Sequence, residues 1–573
     1  MTEQWWKLIE QGLRYKERFG WSKRWPVYRD YARGVFPGYQ SSADGILPYN
    51  LVYAMLRTMV PSIYLRNPYV NITPRLRPGL EIHARILESI VNWLLQEIDI
   101  KTAIRRAVID CFFTNRGIIK IGYDSLYGFT RDELLETLGL ESLTFNYLDN
   151  KGRRIEYNTN VKPGMPWAIQ VFPEFFIVPY GVQTLDDCPW VDHITIRPLE
   201  DVKADPKYKN TRDLQGTHIE LLYRDVQKRD FYQSLTSEID YVELHEIRDL
   251  KRGEIRVLVP GYDKWLREEE DELQIEGLPF VDFTFNEDTE FYWSASDVQI
   301  MEPQQLEMNE ARTQAMKHRR LALVKFLAQR GAIDPDEIDK MLREDVGPVV
   351  FVDGAPSQAV NMLQPHIPPD LVQWVEVIRS DVREMMGVGK LQAGELSTGR
   401  KTATEAQIVH FAHQLRMDSR RDAVADALTK AVRKIIQLVF KMWDRRRVAE
   451  VVGYDAARYW VEFTGREIIG EYNVRVDVES MTPMTKAIKR SEILQVIQAL
   501  SKYPGANISY LLRSLLREFE WADVMKILPP SQETLSRPMT VREFIARQNS
   551  LLQQPDRLKA GLERAGALIG AAL

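Results

Sequence analysis

The sequence predicts an α+β chain in which a strand-rich first half gives way to long helices. Three observations carry this. Strand-like alternation is concentrated between residues 167 and 286 (WAIQVFP, FFIVP, VDHITIRP, YVELHEIRD, EIRVLVPG, LPFVDFTFN). A helical pattern without Gly or an internal breaker runs from Pro303 to Gly331. A second one, from Thr402 to about Arg447, repeats apolar residues at steps of three and four.

Taken in order, residues 1–35 read as two short helices broken near Gly20 and ended by Gly34. They interleave aromatics with Lys7, Arg14, Lys16, Arg18, Lys23 and Arg24. Such a mixture suits a nucleic-acid arm that stacks bases. The simpler reading is an amphipathic pair that docks its aromatics on a neighbouring element and leaves the cations in water. A helix from Leu47 should kink or end at Pro61, before the extended piece VNITP. One helix is expected over residues 81–115, closed by Gly117, and the strand IIKIGYD follows. The acidic run REEEDE (Arg267 to Glu272) reads as a solvated loop, because like charges so close together repel. Pro303 is placed at the N1 position of its helix, which would be on the order of 40 Å long. A compact insert with one strand, VVFV, comes next. Pro368 and Pro369 open the helix DLVQWVEVIRSDVREMM, which Gly387 ends.

The loop GVGKLQAGELSTGRKTA is polar and punctuated by Gly387, Gly389, Gly394 and Gly399, and it carries Lys390, Arg400 and Lys401. In the helix that follows, Val424, Leu428, Ala431, Ile435, Leu438 and Met442 form one apolar stripe. The stripe lapses over RMDSRRD (Arg416 to Asp422), where a bend or an exposed crossing is expected. Strand patterns return in YWVEF and YNVRVDVE, and the chain is expected to be helical after Pro483.

Composition narrows the function. At 573 residues, with 45% hydrophobic and 27% charged residues, the chain should fold into several packed regions. Two cysteines, Cys111 and Cys188, cannot make a disulfide framework or a Cys-rich metal site. Neither a signal peptide nor a membrane span is apparent, so a soluble intracellular product is expected. The 76 Lys and Arg are outweighed by 81 Asp and Glu, a net charge of −5, which disfavours tight global DNA binding. Sliding contact through a few cations stays open.

Catalytic signatures fail. EMMGVGKL would need Gly at 384 and Ser or Thr at 391 to be a phosphate loop, but Glu384 and Leu391 stand there. His410 and His413 lack the spacing and the third ligand of a metal site. Neither cysteine has the neighbours of a nucleophile. No enzyme, cofactor or metal is expected.

Several segments, in this order, resemble the portal proteins of tailed bacteriophages, of the larger podovirus-like type. They are NLVYAMLRTMVPSIYLRNPYVNITP, AIQVFPEFFIVPYG, VELHEIRDLKRGEIRVLVPG, LPFVDFTFNEDTEFYWSASDVQIMEPQQLEMNEARTQAMKHRR and RSDVREMMGVGKLQAGELSTGRKTATEAQIV. The resemblance implies a multidomain α+β portal subunit. Its parts would be a wing (1–297 and, after a long helix, 403–482), two stem helices (298–330 and 368–386), a small α/β clip (331–367), a tunnel loop (387–402) and a helical crown (483–573). It implies a ring, usually dodecameric, at one capsid vertex in the virion. The ring would assemble in the host cytoplasm with capsid and scaffolding proteins, away from any membrane.

Double-stranded DNA would pass through it transiently and without sequence specificity, with the terminase large subunit and later the head-tail adaptor docked on the clip. Lys390, Arg400 and Lys401, then Gln392 and Thr398, are the candidates for touching DNA, with the four loop glycines giving the backbone its freedom. On the first stem helix, Lys317, His318, Arg319, Arg320 and Lys325 are candidates for lining the channel. In the clip, Val349, Val350, Phe351 and Val352 could add to a neighbour's sheet. The competing readings are a packaging ATPase-nuclease, opposed by the absent phosphate loop, and another head or tail structural protein.

Overall fold

The computed structural model describes residues 2–36, 48–75, 80–124, 164–217, 240–321, 325–328, 335, 360–363, 370–388, 403–443, 447–452, 458–477, 493–497, 499 and 539–553. At some of these, among them 403–416, only the backbone is described. The chain divides into two compact units. One holds Met1–Pro26, Leu56–Asp297 and Thr402–Leu573, and the other Val27–Met55 and Val298–Lys401.

The N-terminal helices α1 (Thr2–Glu17) and α2 (Arg24–Ala32) are separated at Gly20, whose φ of +79° only glycine adopts freely. Their aromatics act as anchors. Trp5 meets Trp190 edge to face at 5.5 Å, Trp6 meets His245 at 5.0 Å, and Trp25 meets Trp293 at 5.4 Å. The docking reading therefore holds, with one exception among the cations. Lys16 is fully buried. Its ammonium donates to the carbonyls of Glu174 and Phe176 and lies within 6 Å of the Trp21, Trp25 and Trp293 rings.

In helix α3 (Leu51–Ile63), Pro61 cannot donate to the Arg57 carbonyl, and the helix ends two residues later, as expected. Strand β1 (Val70–Pro74) follows. The single helix expected over 81–115 is two, α4 (Glu81–Glu97) and α5 (Ile100–Thr114). They are broken at Asp99, with φ of 52°. The residue that closes α5 is Asn115 (φ 59°), not Gly117. Asn tolerates the left-handed region. Its side chain also accepts from the Asn286 N–H at 3.0 Å and donates to the Asn286 carbonyl at 2.6 Å. Gly117 instead opens strand β2 (Gly117–Asp124).

The strand-rich region forms two sheets. Strands β3 (Met165–Val171), β4 (Phe176–Ile177) and β5 (Trp190–Pro198) are followed by a short helix, α6 (Leu199–Ala204). Then come β6 (Tyr241–Asp249), β7 (Glu254–Leu258), β8 (Arg267–Glu270) and β9 (Phe280–Phe283). The first sheet has the order β3-β2-β9 and the second β4-β5-β6-β7-β8, antiparallel throughout. The acidic run is thus an edge strand, not a loop. Its charges are answered from neighbouring positions: buried Arg256 bonds Glu268 at 3.1 Å, and buried Arg267 pairs with Glu269 and Glu272. Helix α1 packs Ile9, Trp5 and Trp6 onto Ile177, Trp190, Ile194 and Ile247 of the five-stranded sheet.

Between the two sheets lies a polar core. Fully buried Lys120 reaches both carboxylate oxygens of Glu246 at 2.9 Å, His193 Nδ1 at 3.2 Å and the face of Phe280. Burial pulls the His193 pKa down to about 3, and the Lys120 charge adds to the effect.

The long helix expected from Pro303 differs from expectation at both ends. It begins at Asp297, so Pro303 sits inside it and not at N1, and it stops at Leu321 (α7, Asp297–Leu321). Residues Lys325–Ala328 form strand β10, paired antiparallel with β11 (Val360–Leu363), because the β-favouring VKFL segment finds a partner there. The strand expected at Val349 to Val352 lies outside the described residues. Helix α8 (Asp370–Met386) ends at Gly387 as expected.

Helix α9 (Ala403–Met442) spans 40 residues without Gly or Pro, about 60 Å. All six stripe residues are buried. Arg447 belongs not to this helix but to strand β12 (Arg447–Val452), which pairs with β13 (Arg458–Phe463). Strand β14 (Tyr472–Val476) pairs with β1. Beyond residue 483 the described chain is not wholly helical. Strand β15 (Met539–Thr540) runs parallel to β13 and leads into α10 (Val541–Gln553), where Thr540 and Glu543 cap each other's backbone N–H.

Candidate functional site

The polar loop is the candidate site, and its two ends are built differently. At the entry, the Gly387 N–H bonds the Glu384 carbonyl at 3.2 Å and the Val388 N–H bonds the Arg383 carbonyl at 2.9 Å. With φ of +68° at Gly387 and Val388 buried, this is a Schellman cap. Gly387 therefore fixes the direction in which the chain leaves α8, a different task from giving the loop slack. Lys390, Gln392, Thr398, Arg400 and Lys401, with Gly389, Gly394 and Gly399, lie outside the described residues.

At the exit, the lapse in the apolar stripe of α9 is a polar clamp. Arg420 makes a two-pronged pair with Asp297, at 2.6 and 3.0 Å, and stacks on Phe285 at 5.2 Å. Asp297 is only 1% exposed and also accepts from Asn286 at 3.0 Å. Arg421 donates to the Ser62 carbonyl at 2.8 Å. The helix runs unbroken through this stretch, and arginines take the place of aliphatics.

Further along, Lys430, Lys434, Gln437 and Lys441 follow one another by three or four residues on one stripe. Lys430 pairs with Asp186 at 2.5 Å, Lys434 donates to the Glu276 carbonyl and Lys441 to the Glu272 carbonyl. Gln437 accepts from the Glu276 N–H. Burial pulls the pKa of both Lys434 and Lys441 down. Past the end of α9, the Gly465 N–H takes up the Trp443 carbonyl at 2.7 Å.

In the second unit, α7 reads the backbone of the segment ahead of α3. Buried Gln305 accepts from the Leu51 N–H at 2.8 Å and buried Asn309 from the Tyr49 N–H at 2.9 Å. The Tyr49 ring lies within cation–π distance of Arg312 (4.7 Å) and Arg379 (5.2 Å). Near the end of α7, Lys317, His318 and Arg319 are exposed and form no ion pair with a described residue. Cations at this end also complement the helix dipole. Arg320 is on the same helix, with its side chain outside the described set. Lys325 is not on the helix at all, because the helix has already stopped and β10 has begun.

Chemically, the described residues offer anchoring and charge. No group of three or more His, Cys, Asp or Glu among them could hold a metal ion. Both thiols are buried and pushed up in pKa, Cys188 to about 12, so neither is a ready nucleophile. His245 is packed against Trp6 and held by Asp192 at 2.6 Å and Glu243 at 3.3 Å, with 3% of its surface exposed. No described helix is long and apolar enough to cross a membrane.

The clamp at Asp297 and Arg420 and the Tyr49 contacts escaped sequence reasoning. The one available signal was that lapse itself, because an interrupted stripe in an unbroken helix calls for a polar partner.

Compared with known proteins, the chain matches the family model of the phage SU10 portal protein over residues 153–532, more than half its length. No curated protein matches it.

Proposed function

Because this chain belongs to the phage SU10 portal protein family, we propose that its copies close into a ring around a DNA channel. The family is structural and non-catalytic, and its members are components of the virion. The family match is the observation that carries this reading. Subunits would meet head to tail in a closed, usually dodecameric ring at one capsid vertex, a heterologous contact whose angle sets the count. The ring would pass double-stranded DNA inward during packaging and outward at ejection. It would dock the terminase large subunit first and the head-tail adaptor later, through the clip.

Several observations support it. A channel must let DNA slide, so a net acidic chain with a few cations at the constriction is favourable. The loop is entered through a rigid cap, and the helix that leaves it is clamped by Arg420. Lys390, Arg400 and Lys401 would meet the phosphate backbone, with Gln392 and Thr398 beside them, and the exposed Lys317, His318 and Arg319 would line the stem. Val349 to Val352 would pair with a neighbour's clip.

The test is to replace Lys390, Arg400 and Lys401 by Ala. Assembly should stay intact while packaging or retention of DNA is impaired. Loss of assembly would reassign these residues to subunit contacts.

A further inference from the structure

Helix α5 buries Ile100, Ala103, Ile104, Ala107, Val108 and Cys111, and it lies along β2 and β3. Its outer side is basic. Lys101, Arg105 and Arg106 are all exposed, and none has an ion pair or hydrogen bond with a described residue. Some cations elsewhere are answered by an acid: Lys7 by Glu3 and Arg14 by Glu10 one turn away, and Lys430 by Asp186. The only acid in α5, Asp110, is 2% exposed and engaged by Gln170. This helix therefore displays three positive charges within six residues and no negative one.

We propose that the outer face of α5 is a second contact for the DNA phosphate backbone, beyond the loop and stem residues above. The portal reading is used only to name duplex DNA as the polyanion at hand. Lys101 and Arg106 are separated by about 7.5 Å along the helix axis. Phosphate contact needs cations and little else. A protein partner would need an apolar anchor to desolvate. Thr102 and Ile109, beside them, are half-buried. The contact is non-specific and sensitive to salt.

The experiment titrates the full-length, assembled protein with a short blunt duplex of mixed sequence across a range of salt. It compares Lys101→Gln/Arg105→Gln/Arg106→Gln with Lys317→Gln/Arg319→Gln. Three lost phosphate contacts should reduce the log–log salt slope by about 2.7. Between about 50 and 200 mM salt, that is roughly a 40-fold smaller loss of affinity in the α5 variant. An unchanged slope overturns the proposal. So does an unchanged slope with an altered assembly mass, which would make the face a protein contact. If only the α7 variant loses slope, the channel reading stands and the α5 site falls. If only the α5 variant does, this site stands whatever becomes of the stem assignment.

Discussion

Replacing Arg420 by Met should loosen the hold of α9 on Asp297. The Met side chain keeps most of the packing volume and removes the guanidinium. Asp297, 1% exposed, would then keep, among the described residues, only the 3.0 Å bond from Asn286. Breaking one partner out of a buried pair costs about 3–5 kcal/mol. At about 1.4 kcal/mol per factor of ten, that is two to three and a half orders of magnitude in the local opening constant. Native-state amide exchange reads this directly, even in a large assembly where a global unfolding free energy is ill defined. Amides near Met417 to Val424 should exchange faster by that factor, while those of β5 and β6 stay as they were. The double variant with Asp297→Asn should cost less than the sum of the single changes, because neither buried group is then an orphaned charge. If Arg420→Met accelerates these amides less than threefold, or the two changes add, the pair with Asp297 is not what holds this stretch of α9.

Two further outcomes follow from the same structure. Burial alone would lower the His245 pKa, but the Asp192 charge and hydrogen bond, with Glu243, raise it to about 9. Its contribution is therefore full below the ordinary value of 6.5 and is lost as pH rises toward 9, on the order of 3 kcal/mol. The midpoint of urea unfolding should fall over that window in the native chain and stay flat in His245→Gln; equal slopes would contradict it. Gly465→Ala would put a Cβ 2.3 Å from the Val439 carbonyl and 3.1 Å from those of Phe440 and Trp443. Backbone cannot yield as a side chain does, so about 1–3 kcal/mol should be lost. The last turn of α9 should show it in amide exchange, and a change below about 0.5 kcal/mol would contradict the close approach.

Much of the fold was legible, for local reasons. The stripe from Val424 to Met442 and the alternation in β5 and β6 reflect which face of each element is buried, and Gly20, Gly34 and Gly387 mark true left-handed turns. What escaped depends on partners distant in sequence or on unusual caps. The break at Asp99 and the cap at Asn115 use neither Gly nor Pro. The strand at Arg267 to Glu270 was hidden because its repulsion is relieved across strands by Arg256. Lys16 looked like a solvated cation, and nothing nearby in sequence announces three Trp rings around it. Arg420 and Asp297 are 123 residues apart, so the lapse in the stripe could be seen but not its filling. The loop's composition and the turn at Gly387 were plain in the sequence; the anchoring by Arg420 was not.

The central claim is that copies of this chain close into a non-catalytic ring. Light scattering on the purified protein, with negative-stain images of the same sample and an ATP-hydrolysis assay, tests it most directly. The account predicts a single large species of fixed symmetry with a central hole and no ATP turnover. A stable monomer that hydrolyses ATP would contradict it.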